Sequence, residues 1–250
     1  MIEAFLAEFS LAELAIVAVI AFGTAIIHGA TGIAGGFLLA AALLYVIDVM
    51  AIVPVMSVAM LVSHATRALV NLRDVNLRVF ASISLFAVPM IIIGAIFYSQ
   101  LHEDAIALIL GLVILASIPI RAWARQRKVK AGRRSLHLVG AIYGGLAGTS
   151  IGPGLLLVPF MLGYGLAKEA FVATLAAIGL LSNIMRISMF SGLELLSINH
   201  LLFGLWVGIM TIPGNWIGRG LLRSMAKNQH SRLVDILTIL GAANMFWFAL

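Results

Sequence analysis

The chain has 250 residues, 62% of them hydrophobic and only 10% charged, with a mean hydropathy of +1.12, which excludes an ordinary water-soluble domain. The formal charge of +6 is compatible with a nucleic-acid binder, whereas the absence of cysteine excludes disulfides, thiolate metal sites and cysteine nucleophiles. What remains is an integral membrane protein, because apolar runs of about 17 to 25 residues are long enough to cross the hydrocarbon as helices.

In chain order, apolar segments cover about 11–31, 35–49, 51–71, 79–99 and 104–121, then 136–149, 152–166, 169–190, 201–222 and 232–250. The start, "MIEAFLAEFSLAELAIVAVIAFG", carries Glu3, Glu8 and Glu13 in place of the basic region of a secretory signal, so it reads as a retained first helix. The second and seventh segments are short. Between the two groups lies "RAWARQRKVKAGRRSLH", Arg121 to His137, with seven Lys or Arg. The expected organisation is an N-terminal transmembrane repeat over 1–120, a basic cytoplasmic linker over 121–135 and a C-terminal transmembrane repeat over 136–250.

Alternating the connectors across the bilayer puts Arg73, Arg78, Lys168, Arg223, Lys227 and Arg232 on the side of the linker. The opposite side holds Glu3, Glu8, Glu13, Asp48, Glu103, Asp104 and Glu194, and no Lys or Arg. The positive-inside bias then places the linker in the cytoplasm and both termini outside. Basic residues confined to loops on one face point to membrane orientation and lipid contact, and to no nucleic acid. Asp48, Glu169 and Asp235 fall at segment ends, where solvent reaches them, and Phe246, Trp247 and Phe248 form an aromatic cluster suited to the membrane interface.

The two groups of five segments resemble each other. "GIAGGFLLA" from Gly32 matches "SIGPGLLLV" from Ser150, and "SHATRALV" from Ser63 matches "SNIMRISM" from Ser182. "VNLRVF" ending at Phe80 matches "INHLLF" ending at Phe203, and "VPMIIIG" ending at Gly94 matches "IPGNWIG" ending at Gly218. An odd number of crossings per unit makes the second copy face the other way. The expected fold is therefore an all-α polytopic membrane protein of two inverted-topology repeats, each of about five transmembrane or half-membrane helices. Such repeats are a recurring plan of secondary transporters.

Glycines interrupt the apolar pattern at matched places: Gly29, Gly32, Gly35 and Gly36 in the first half, and Gly144, Gly145, Gly148, Gly152 and Gly154 with Pro153 in the second. Unpaired backbone groups cost several kcal/mol in hydrocarbon, so a break at membrane depth survives only against protein or a wet cavity. Helix N-termini at such breaks suit an anion. The plainer reading is close helix packing through small residues. Residues 148–152 also spell G-x-S-x-G, but the strand, acid and histidine context of a nucleophile elbow is missing.

Arg67 and Arg186 occupy matched positions of an S-[HN]-x-x-R pattern that also aligns His64 with Asn183. An arginine in hydrocarbon normally faces a partner or a wet cavity, and its planar fork fits oxyanions, although a residue near a segment end can instead snorkel to the headgroups. His28 and His64 are candidates for proton coupling or for structural hydrogen bonding. Thr31, Thr149, Ser150 and Asn183 suit either an anion's oxygens or interhelical bonding.

At the two glycine motifs, "GATGIAGGFLLA" and "GGLAGTSIGPGLLLVPFML", the sequence resembles the sulfite exporter TauE/SafE family of bacterial membrane transporters, over nearly the whole chain. Many members carry a cysteine and a proline ahead of the paired glycines; Thr31 to Gly36 has neither, and Ser150 to Gly154 has neither the cysteine nor the paired glycines. The resemblance implies a secondary transporter in the bacterial cytoplasmic (inner) membrane that exports a small anion such as sulfite, an organosulfonate or a carboxylate. The substrate-binding set expected from residues and resemblance together is Thr31, Gly35, Gly36, His64, Arg67, Ser150, Gly152, Gly154, Asn183 and Arg186, with His28 and His64 for proton coupling. No cofactor or metal is expected, and no P-loop is present for direct nucleotide use. The partners are the anion and membrane lipids, with a homodimer left open. Rival readings are an anion channel and a membrane-embedded hydrolase using Ser150 with His28 or His64.

Overall fold

A computed structural model describes residues 2–31, 34–126, 130–166 and 168–224. The final apolar segment at 232–250 lies outside the described residues, together with Lys227, Arg232, Asp235 and the Phe246–Phe248 cluster, and so does Gly32 of the first break. The protein is all-helical. Its helices are α1 (Ile2–Glu8), α2 (Leu11–Thr31), α3 (Ala34–Leu43), α4 (Val49–Val70), α5 (Leu77–Tyr98), α6 (Glu103–Gln126), α7 (Arg133–Thr149), α8 (Gly154–Gly163), α9 (Lys168–Gly192) and α10 (Ile198–Ser224). No strand occurs among the described residues. Of these helices, α2, α4, α5, α9 and α10 are long and apolar enough to cross a membrane.

Both faces of the long helices are apolar, and packing alone separates them. On α5, Val79, Ile83, Ala87, Ile91, Ala95 and Tyr98 recur every three or four residues and are buried. Leu85, Phe86, Ile93, Ile96 and Phe97 on the other side are exposed, as suits a surface that meets acyl chains.

Helix ends follow local chemistry. The start of the chain, expected to be one helix, is two, α1 and α2, because Ser10 and Glu13 form a capping box ahead of the first apolar run: the Ser10 amide donates to Glu13 Oε2 at 2.9 Å and the Glu13 amide to Ser10 Oγ at 3.3 Å. The helix α8 stops at a left-handed Gly165 (φ 98°), where the Leu166 and Gly165 amides return to the Met161 and Leu162 carbonyls. The basic stretch is partly helical, since Arg121 to Gln126 complete α6 and Arg133 and Arg134 open α7. The short segments are shorter than expected. With 10 residues each, α3 and α8 extend about 15 Å, half the thickness of a hydrocarbon core.

The most extensive packing joins the two halves crosswise: α2 lies on α10, and α5 lies on α7. Gly94 on α5 rests against Gly145 and Gly148 of α7, and Gly218 on α10 rests against Ile26, Gly29 and Ala30 of α2. A Cβ at Gly94 would fall 3.0 Å from the Gly148 Cα, and one at Gly218 would fall 2.8 Å from the Gly29 Cα, so each crossing needs a bare backbone. Gly94 and Gly218 are the residues that align at the ends of the fourth sequence match, so matched positions make matched contacts on the opposite half. Between these crossings, α4 packs against α9.

Proline recurs inside α4, α5, α6, α8 and α10. Each lacks an amide and frees the carbonyl four residues earlier, which neighbouring groups must satisfy. In α4, Pro54 frees the Met50 carbonyl, and the buried Tyr98 hydroxyl donates to it at 2.9 Å.

Candidate functional site

A cavity of about 80 Å³ opens where α4 and α9 meet the first turns of the two half-length helices. Gly36 and Phe37 of α3 and Gly152, Pro153 and Gly154 at the start of α8 line it. The second break is fully traced: Ser150 is extended, Gly152 turns at φ 88°, a region that favours glycine, and Pro153 caps α8. Both short helices thus present N-terminal turns, with their partial positive charge, to one space.

Side chains from four further helices complete the wall. His28 comes from α2, Met60 and His64 from α4, Tyr143 and Ala147 from α7, and Leu175, Gly179, Ser182, Asn183 and Arg186 from α9. The His28 and His64 rings are 5.6 Å apart between centroids, inclined at 59°. His28 Nδ1 accepts the Gly36 amide at 3.1 Å, so the neutral ring carries its proton on Nε2. Asn183 Nδ2 donates to the Gly179 carbonyl at 2.8 Å, which fixes the amide orientation. Arg186 Nη2 donates to the Val53 carbonyl of α4 at 3.3 Å. The Tyr143 hydroxyl donates to Ser182 Oγ at 3.0 Å, and Ser182 passes the bond to the Ile178 carbonyl at 2.8 Å.

Both arginines are inside the protein. Arg67 is 4% exposed and Arg186 7%, so neither snorkels to the headgroups. Both stand close enough to His64 to act on it electrostatically. The buried polar residues among those described include no Asp or Glu, and Arg186 has no carboxylate partner among them. His28 Nε2, His64 Nδ1, Asn183 Oδ1 and Arg186 Nε are buried and find no hydrogen-bond partner among the described residues. A pocket with a buried guanidinium and unused polar atoms can hold a small oxyanion. No group of three or more His, Asp or Glu arranged to hold a metal occurs among the described residues.

Of the residues expected from sequence, His28, Gly36, His64, Gly152, Gly154, Asn183 and Arg186 come together around the cavity. Thr31, Gly35, Arg67 and Ser150 do not line it. Thr31 is buried and its hydroxyl donates to the Ile27 carbonyl at 2.7 Å. Gly35 is pressed against the Thr24 carbonyl and the His28 side chain. Arg67 lies three residues beyond His64, buried on α4. The Ser150 hydroxyl is fully buried and donates to the Leu146 carbonyl at 2.7 Å, bound to its own helix rather than to a histidine. Tyr143, Gly179 and Ser182 were missed by sequence reasoning. Ser182 was within reach, because it opens the second S-[HN]-x-x-R match opposite Ser63. Tyr143 and Gly179 carry no local signal.

Membrane-length apolar helices around a buried polar cavity define a multi-pass helical membrane protein. The profile of the family described as Sulfite exporter TauE/SafE matches residues 17–245, and the chain belongs to that family of membrane transporters. No match to a curated protein or to a solved structure reaches significance.

Proposed function

We propose that the protein is a secondary transporter that exports a small oxyanion, such as sulfite, an organosulfonate or a carboxylate, across the bacterial cytoplasmic membrane by alternating access around this cavity. The observation that carries the proposal is Arg186. It is a buried guanidinium that lines the cavity, bonds one backbone carbonyl and has no carboxylate partner among the described residues. A buried charge without a counter-charge is costly, and a bound anion would offset that cost.

Two inverted repeats, over 1–120 and 136–250, would supply the two interconverting arrangements, with the basic linker on the cytoplasmic side. The sequence matches and the crosswise packing of α2 on α10 and α5 on α7 support this reading. Gly36, Gly152, Gly154, His64, Asn183 and Arg186 form the substrate shell in the proposal. Arg67 contributes charge from behind His64, while Thr31, Gly35 and Ser150 hold the backbone at the breaks. His64 is the candidate carrier of a coupling proton, because His28 Nδ1 is already engaged by Gly36.

The test is anion binding followed by thermal unfolding of the detergent-purified protein with sulfite, alkanesulfonates and carboxylates, then flux in proteoliposomes. Saturable stabilisation and flux, both lost in Arg186→Ala, are expected. Large unsaturating currents would identify a channel, and an anion response unchanged in Arg186→Ala would overturn the assignment of the site.

A further inference from the structure

The polar atoms left over around the cavity do not all call for the same kind of partner. Arg186 Nε carries a hydrogen and can only donate. His28 Nε2 also donates, because its Nδ1 is occupied by the Gly36 amide. Both suit the bare oxygens of an anion. Asn183 Oδ1 is different. Its amide nitrogen is committed to the Gly179 carbonyl at 2.8 Å, so the oxygen cannot exchange places with it, and that oxygen can only accept. It belongs to a side chain that is 3% exposed and lines the cavity, and no described residue donates to it. A ligand whose oxygens are all bare acceptors would face Asn183 Oδ1 with nothing to offer, leaving a buried acceptor unsatisfied or repelled.

From this mismatch we infer that the cavity selects an oxyanion that itself carries a hydrogen-bond donor, an O–H or N–H group, over one without it. The inference rests on the transport reading above and narrows its substrate class. Hydrogen sulfite is favoured over the sulfite dianion, and hydroxy- or amino-substituted sulfonates and carboxylates over the plain ones. The anionic end lies toward Arg186 and the donor toward Asn183.

Matched pairs of probes test it in the intact purified protein: 2-hydroxyethanesulfonate against ethanesulfonate, and glycolate against acetate. The hydroxylated member of each pair is expected to bind about tenfold more tightly. In Asn183→Leu the preference within each pair should disappear, whatever the change in affinity common to both members. Equal binding within each pair overturns the inference but leaves an Arg186-dependent anion site standing. A preference that survives in Asn183→Leu overturns it too, and the absence of binding by any anion sinks both readings. The comparison within the unmodified protein stands even where the variant fails to fold.

Discussion

His28 on α2 accepts the backbone amide of Gly36 on α3 at 3.1 Å, so the imidazole closes the first helix break from within. The Gly36 amide, which the break would otherwise offer a ligand, is therefore already used by the protein. Replacing His28 with alanine would leave the Gly36 amide buried without an acceptor, at a cost of about 1–3 kcal/mol. Asparagine places an oxygen near the position of Nδ1, whereas glutamine reaches toward Nε2. Thermal unfolding in detergent should show His28→Asn close to the parent and His28→Ala and His28→Gln well below it. Equal losses in all three would mean that the hydrogen bond contributes nothing.

Tyr98 and Pro54 form a second dependent pair. The Tyr98 hydroxyl occupies the Met50 carbonyl, which Pro54 cannot satisfy. Tyr98→Phe should destabilise the protein by about 1–3 kcal/mol. In a Pro54→Ala background the restored amide can serve Met50, so the same change should cost clearly less. Additive effects in this double-mutant cycle would refute the coupling.

Gly179 leaves room for the ring of His64. A Cβ there would lie 2.6 Å from His64 Nε2 and 2.7 Å from Cδ2, closer than packed atoms allow. Gly179→Ala should therefore displace the imidazole and weaken anion binding by roughly tenfold or more, at a stability cost of about 1–3 kcal/mol. Truncating the ring in Gly179→Ala/His64→Ala should recover most of the stability but not the proton dependence of flux. Unchanged binding in Gly179→Ala would show that His64 is not part of the site.

Because the chain contains no cysteine, a single introduced cysteine is a clean topological label. Lys130→Cys and Arg73→Cys occupy exposed positions that the charge bias places in the cytoplasm. Gln100→Cys and Ser197→Cys, also exposed, belong to the other face. An impermeant maleimide applied to intact cells should label only the latter two. Labelling of Lys130→Cys from outside would reverse the orientation, and labelling of Gln100→Cys but not Ser197→Cys would break the inverted arrangement.

Much of this architecture is legible in the sequence because hydrocarbon dictates helix length. The helices α2, α4, α5 and α9 begin and end within two residues of the apolar runs. The exceptions have local causes. Ala122 and Ala124 are good enough helix formers to help carry α6 past Arg121, and Ser10 separates α1 from the first run with a capping box that is readable as S-x-x-E. The site is legible only in outline. Glycine pattern identifies Gly36 and Gly154, but it cannot separate them from Gly35, which packs on Thr24 and His28, or from Gly148, which packs on α5. Arg186 stands out as a charge in an apolar run, yet its contact with Val53 spans 133 residues and has no local trace. Tyr143 escapes for the same reason, since its partner Ser182 lies 39 residues further along the chain.

The crosswise contacts of α2 with α10 and of α5 with α7 bear on how the protein is made. When the ribosome has released the first 126 residues, the faces of α2 and α5 that will lie on α10 and α7 have no mate within the nascent half. They stay uncovered until translation supplies the later helices, a period in which quality-control proteases have access to an unfinished bundle. Each half made alone should be short-lived, and co-expression of two polypeptides divided between Gln126 and Lys130 should rescue both.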